Sequence, residues 1–265
     1  MKTQITKISD TIYDFTEYMD FGDGKMSPYV DSYLVIGAKG ALVIDALQKN
    51  DDLYETVRSL TDLPITMLIT HGHIDHAGVS VASFAEHGCK IYMDLADFPL
   101  TAATVPNTRR EFFTQLKDGD RFDIGGYVFE AIACPGHTQG SFLFLDREHQ
   151  LMFDGDTLGS GGIWMQLDCS TTVEQFRDNV GRVLGKTEGL DRLLIYCGHG
   201  YQTPEQLTAR YIKDTYDVAD GIVKGTNVGA EESIPWDNAD GKMTYMKADP
   251  IGQMRNFCYN PKRIR

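Results

Sequence analysis

The 265-residue chain is short of positive charge: 25 lysines and arginines face 38 aspartates and glutamates, for a formal net charge of -13. A mean field of that sign repels phosphate backbones and anionic membranes, so neither nucleic acid nor a membrane is expected as a partner. No stretch approaches the ~18 apolar residues that span a bilayer, and the opening MKTQITKISD has no apolar core of the signal-peptide kind. The five cysteines (Cys89, Cys134, Cys169, Cys197 and Cys258) are odd in number and contain no CxxC pair. Reduced thiols in a cytoplasmic chain are therefore expected rather than a disulfide framework. No repeat period or low-complexity tract is present, which excludes fibrous and solenoid folds. What remains, 42% hydrophobic and 24% charged residues, is ordinary globular composition at a length sufficient for an enzyme.

The apolar pattern is that of alternating strands and helices. QITKI (4–8), TIYDFT (11–16), YVDSYLVI (29–36) and ALVID (41–45) read as strands, and Leu53, Val57 and Leu60 fall at helical spacing before the buried run ITMLIT (65–70). A helix over 79–86, a strand at 89–93 and helical stretches to Leu116 follow. Strands then resume as RFDI, YVFEAIA (127–133), SFLFLD (141–146) and LMF (151–153). Val173, Phe176, Val180, Val183 and Leu184 mark a second amphipathic helix ahead of the strand LLIYC, which ends at Cys197. Strands followed by helices in each half predict an α/β fold of two packed sheets with helices outside, in a single domain over 1–265. Within it, 204–265 is a helical and strand-like C-terminal extension, whose basic end at Lys262, Arg263 and Arg265 is read as solvated.

Strand ITMLIT runs into His71-Gly72-His73-Ile74-Asp75-His76, three imidazoles and one carboxylate within six residues. In an extended backbone, residues i and i+2 face the same way, so His71 and His73 can share one metal while Asp75 and His76 turn toward a neighbouring position. The helical HExxH arrangement is absent, so a metal site here is carried by loops. Three further fragments repeat the order of apolar strand, tight turn and ligand: CPGHTQGS with His137, FDGDTLGS with Asp156, and CGHG with His199. Five of the seven histidines lie in these four fragments; His87 and His149 lie outside them and are given no role.

The ordered set HGHIDHAG, PGHTQGS, DGDTLGS and CGHG resembles the metallo-β-lactamase-fold superfamily over the first three quarters of the chain. The resemblance implies a four-layer αβ/βα sandwich with a metal cleft at one edge between its sheets. Position by position, it implies that His71, His73 and His137 hold one metal, that Asp75, His76 and His199 hold the other, and that Asp156 bridges them. Asp45, at the end of ALVID, matches the family's buried carboxylate that orients the ligand loop. Two Zn2+ ions per chain are implied, with iron or manganese as alternatives.

Asp156 sets the chain apart from antibiotic-hydrolysing members, which commonly carry Cys or Ser near that place, and makes it similar to hydrolases of the glyoxalase II and lactonase type. The expected function is a dizinc hydrolase in which a metal-bridging hydroxide attacks a small ester, thioester or lactone, with Asp75 as the catalytic residue that steers water and returns a proton. A mononuclear iron sulfur dioxygenase-like oxidoreductase and a phosphodiesterase remain as alternatives. The chain departs from the family in carrying Cys197 where Pro usually precedes the last Gly-His, and TLGSGGIWMQ matches no subfamily signature. GSGGIW (159–164) reads as a flexible loop at the site, and Tyr18, Met19, Trp164, Met165 and Tyr201 are the candidate pocket residues for a small-molecule substrate. Cys134 and Cys197 end β runs and are read as packing residues. The sequence is compatible with a homo-oligomer.

Overall fold

In the computed structural model, which describes residues 2–22, 24–50, 52–236 and 241–265, the β-rich opening of the chain becomes a seven-stranded sheet. Strands β1 (Lys2–Lys7), β2 (Ile12–Asp20), β3 (Met26–Ile36), β4 (Ala41–Ile44), β5 (Ile65–Leu68), β6 (Lys90–Met93) and β7 (Phe113–Gln115) lie side by side in that order. The first four pair antiparallel, and from β4 to β7 the pairing is parallel. Parallel neighbours require crossovers, and these carry helices α1 (Leu53–Arg58), α2 (Ser80–Glu86) and α3 (Phe98–Thr104).

The second half supplies β8 (Arg121–Asp123), β9 (Val128–Ala133), β10 (Phe142–Asp146), β11 (Leu151–Gly155), β12 (Gly162–Met165), α4 (Val173–Thr187), β13 (Leu194–Cys197), β14 (Leu207–Thr208), α5 (Ala209–Lys224), β15 (Ala230–Pro235), β16 (Lys242–Ala248) and β17 (Asn256–Tyr259). Six of these strands form a second sheet in the order β14-β13-β11-β10-β9-β8, and the other four form a third in the order β12-β17-β16-β15.

Period-two alternation along the strands sorts the apolar residues into layers. Leu42 and Ile44 of β4 join Phe142 and Phe144 of β10 in the core between the two large sheets. Their neighbours Ala41 and Val43 point the other way, onto Leu53 and Val57 of α1 and Val81 and Phe84 of α2. On the far face of the second sheet, Leu143 and Leu145 pack with Phe176, Val180 and Val183 of α4 and with Tyr211, Ile212 and Val218 of α5. Helix α4 starts in a capping box, with the Thr172 hydroxyl accepting from the Gln175 amide at 3.2 Å, an arrangement worth ~1 kcal/mol. The result is the expected four-layer αβ/βα sandwich.

The third sheet departs from the sequence reading. GSGGIW is not a flexible loop: its last residues form β12, which pairs parallel with β17 from Gly162 opposite Asn256 to Met165 opposite Tyr259. Its partner arrives so much later in the chain that no local pattern announces it. In the tail, Leu207 sits on the two-residue β14 and helix α5 begins at Ala209. The segment before Leu116 is less helical than expected and ends in β7. No helix among the described residues is long and apolar enough to cross a membrane.

Candidate metal centre

The ligand-bearing fragments leave the C-terminal ends of strands that face one another across the two large sheets. His71 to His76 follow β5, His137 follows β9, Asp156 follows β11 and His199 follows β13. An isolated bridge between Ala46 and Ala77 pins the His loop to the end of β4. The backbones approach closely here: Gly155, at φ +52°, lies so near Thr70 that a Cβ would come within 2.2 Å of its Oγ1.

Four of the five histidines spend Nδ1 on a protein acceptor. His76 Nδ1 lies 2.7 Å from Asp45 Oδ2 and His137 Nδ1 lies 2.9 Å from the Trp164 carbonyl, while His199 Nδ1 meets the Tyr29 carbonyl. His71 Nδ1 is 3.1 Å from Thr70 Oγ1, whose own proton goes to Asp45 Oδ2 at 2.7 Å. These contacts tie each Nδ1 to the surrounding protein and turn each Nε2 toward the centre. His73 is reversed, with Nε2 3.5 Å from Cys169 Sγ and Nδ1 turned inward, 2.9 Å from His137 Nε2.

The inward atoms form three overlapping groups, His71 with His73 and His137, His71 with His76 and Asp156, and Asp75 with His76 and His199, each with ligand atoms within 4.8 Å of one another. His71 Nε2, His76 Nε2 and Asp156 Oδ1 are buried and have no hydrogen-bond partner. Orphaned buried polar atoms are costly, and an imidazole and carboxylate set of this kind fits divalent cations such as zinc. Asp156 lies between the groups, its Oδ2 at 3.2 Å from His199 Nε2, 3.8 Å from His76 Nε2 and 4.0 Å from His137 Nε2.

The same crowding sets the protonation states. Burial, reinforced by the neighbouring imidazoles, holds His71 well below the usual histidine range and His73 down to about 3. Burial also opposes a charge on His76, but Asp75, Asp45 and Asp156 together outweigh it and raise this group to about 9. His199 is raised in the same way, with burial overcome by Asp156 and Asp75. Asp156 stays ionised: burial would raise it, yet the facing His199 and His76 hold it well below the carboxylate range.

Asp45, Tyr29 and Asp97 support the site. Asp45 holds φ +63°, a left-handed conformation that Asp tolerates. Its Oδ1 accepts the Thr70 amide at 2.7 Å. Tyr29 donates its hydroxyl to Asp75 Oδ2 at 3.1 Å. Asp97 is buried and accepts from the Gly72 amide, the Gly140 amide and the Thr138 hydroxyl at 2.8, 2.8 and 2.6 Å, tying the His71 and His137 loops together. Tyr29 and Asp97 were not singled out by the sequence. Asp97 precedes a helix and reads locally as an ordinary N-cap, whereas its carboxylate is used in long-range contacts.

A cleft of about 550 Å³ opens over this floor. Trp164 and Tyr201 line it, as expected, but Tyr18 and Met19 do not, and Met165 is fully buried against the α4 and α5 layer. Alternation along β12 explains the last point, since adjacent residues on a strand face opposite ways. Phe21, Tyr29, Ile74, Ile163, Leu167 and Trp236 complete the apolar lining. His87 stacks on Tyr54 and His149 contacts Asp146, both at the surface and away from the centre.

Residues 28–199 match the family model described as the metallo-beta-lactamase superfamily. A hydroxyacylglutathione hydrolase of Pseudomonas syringae is 33% identical over 178 residues, which span 66% of this chain and 61% of that protein. A probable polyketide biosynthesis zinc-dependent hydrolase, BaeB, of Bacillus velezensis is 25% identical over 177 residues, 66% of this chain and 75% of its own length. Among solved structures, a metallo-beta-lactamase from Pontibacter korlensis superposes with a TM-score of 0.63 at 18% identity, covering 83% of this chain and 99% of that one. At that identity the likeness is one of fold.

Proposed function

We propose that this chain, which belongs to the metallo-beta-lactamase superfamily, is a zinc-dependent hydrolase that uses two metal ions per chain to cleave a small ester, thioester or lactone. The observation that carries this reading is the convergence of unpartnered, buried His71 Nε2, His76 Nε2 and Asp156 Oδ1 with the inward-facing nitrogens of His73, His137 and His199 beneath an open cleft. The relatives named as a zinc-dependent hydrolase and as hydroxyacylglutathione hydrolases support it.

In this reading His71, His73 and His137 would hold one ion, Asp75, His76 and His199 would hold the second, and Asp156 would serve both. Such ions, when bound, supply Lewis acidity and water acidified to a pKa of ~7. The remaining work belongs to the chain. Asp45 fixes His76 in the Nδ1–H tautomer, and the carbonyls of Trp164 and Tyr29 do the same for His137 and His199. Asp75 lines the cleft, where its carboxylate can orient a water and later carry a proton to the leaving group. The Tyr29 hydroxyl holds one of its oxygens, leaving the other for that task. Elemental analysis of the purified protein tests the reading: two zinc ions per chain with ester or thioester turnover are expected, whereas one iron or no metal would overturn it.

A further inference from the structure

Every aromatic residue among the strongly exposed apolar side chains of the described residues, namely Phe21, Trp164, Tyr201 and Trp236, lines the cleft above the candidate metal centre. Aromatic surface left in water is unfavourable, and its concentration at one opening marks a binding surface. The rings are held in place by one another. Trp164 and Trp236 meet edge to face with centroids 6.3 Å apart, and Phe21 meets Tyr29 in the same way at 5.7 Å. The tryptophans come from the third sheet, Trp164 on β12 and Trp236 directly after β15, while Tyr29 lies on β3 of the first sheet. A flat group entering the cleft therefore finds aromatic faces contributed by two separate sheets.

The charge pattern is equally selective. No lysine or arginine is among the described residues that line the cleft; its polar members besides the metal-centre groups are neutral, as with Ser160, Gln202 and Asn256. The basic end of the chain is used elsewhere, with the Arg263 guanidinium donating to the carbonyls of Leu167 and Asp168 at 2.9 Å each. An anionic arm on a substrate would meet no countercharge at this rim, on a chain that carries -13 overall. Trp236 and Asn256 lie outside residues 28–199; Asn256 reaches the site because β17 pairs with β12, and Trp236 because β15 is joined to β17 through β16.

We propose that the cleft selects an uncharged substrate with an aromatic acyl group, seated against the Trp164–Trp236 and Phe21–Tyr29 pairs, and that Trp236, delivered by the C-terminal sheet, is a specificity-determining residue. The identity of the bond cleaved rests on the hydrolase reading above; the binding preference does not. For a thioester the balance is simple: water adds OH to the acyl carbon and a proton to the sulfur, the acyl C–S bond breaks, and a carboxylic acid and a free thiol are released.

The test compares S-phenylacetyl-N-acetylcysteamine, S-acetyl-N-acetylcysteamine and S-lactoylglutathione as substrates of the zinc-loaded protein, with Trp236→Ala and Trp164→Ala alongside. The phenylacetyl compound is expected to exceed each of the others in kcat/KM by roughly tenfold or more, and Trp236→Ala to lower its ratio to the acetyl compound by roughly tenfold. Equal values for the three, or a preference for the glutathione thioester, would overturn the proposal. Binding is read separately through tryptophan fluorescence during titration with neutral 2-phenylacetamide and with its 4-carboxylate derivative. Tighter binding of the neutral compound, weakened in Trp236→Ala, supports the rim even if no thioester is cleaved, in which case only the hydrolase reading fails. Equal binding of the two amides, or no effect of Trp236→Ala on either, would overturn the rim whatever the turnover.

Discussion

The Asp45 carboxylate lies 2.7 Å from the Nδ1 of His76 and at the same distance from both the amide and the hydroxyl of Thr70, the residue that precedes the first ligand histidine. One carboxylate thus orients one candidate ligand and the entry of the loop that carries three others. Asp45→Asn keeps a side chain that tolerates the left-handed backbone but loses one acceptor. Zinc affinity, read by competition with a chromophoric chelator, is expected to fall by roughly 10- to 100-fold; unchanged affinity would remove Asp45 from the support of the site.

Metal binding should release protons. Without metal, the facing carboxylates raise His76 to about 9 and raise His199 as well, so both carry protons at neutral pH that a cation must displace. Zinc affinity is therefore expected to climb as pH rises from 6 toward about 9, because the competing proton is lost in that range. Calorimetric titration at pH 7 in buffers of different ionisation enthalpy measures the release, and a buffer-independent heat would contradict it.

Gly198 touches the centre through what it lacks. A Cβ there would lie 2.2 Å from His76 Cε1 and 2.9 Å from Asp156 Oδ1. Gly198→Ala is expected to displace both side chains and to lower the metal content per chain and the turnover, with loss of ~1–3 kcal/mol of stability from the overpacking. Elemental analysis of the folded variant checks this.

Asp75→Ala is expected to lower kcat by at least ~100-fold, the scale of a positioned acid–base group. Because the His71, His73 and His137 group is untouched, at least one metal equivalent should stay bound. Turnover retained with metal bound would exclude the proposed role.

Asp14 carries a pH-dependent destabilisation. Burial, then the nearby Asp31, raises it from 3.8 to about 8, and its Oδ1 is buried without a partner. Below both values the group is protonated in the folded and unfolded chain and contributes no difference. Between them the unfolded chain gives up the proton while the folded chain keeps it, so stability falls as pH rises. Asp14→Asn should then melt close to wild type near pH 4 and above it by at least ~2 °C at pH 8. Thermal unfolding at the two pH values decides, and a gap that fails to widen with pH would refute the assignment.

The sequence by itself determined the candidate ligand fragments and the layers that present them. Each ligand fragment is local, an apolar run ending in a Gly-rich turn with a histidine or aspartate, and period-two alternation along strands such as β4 and β10 decides which residues face which layer whatever the partner. Tertiary structure alone decided the supports and the pocket. Asp97 looks like a helix cap until Gly72, Thr138 and Gly140 arrive from two distant loops. Trp164 and Met165 are adjacent on one strand, yet one enters the cleft and the other the core, because β12 is held by β17 far along the chain. Trp236 reaches the same cleft because β15 is joined to β17 through β16. Contacts of this kind depend on which distant backbones come to pair, a property of the whole fold that no local window of the sequence contains.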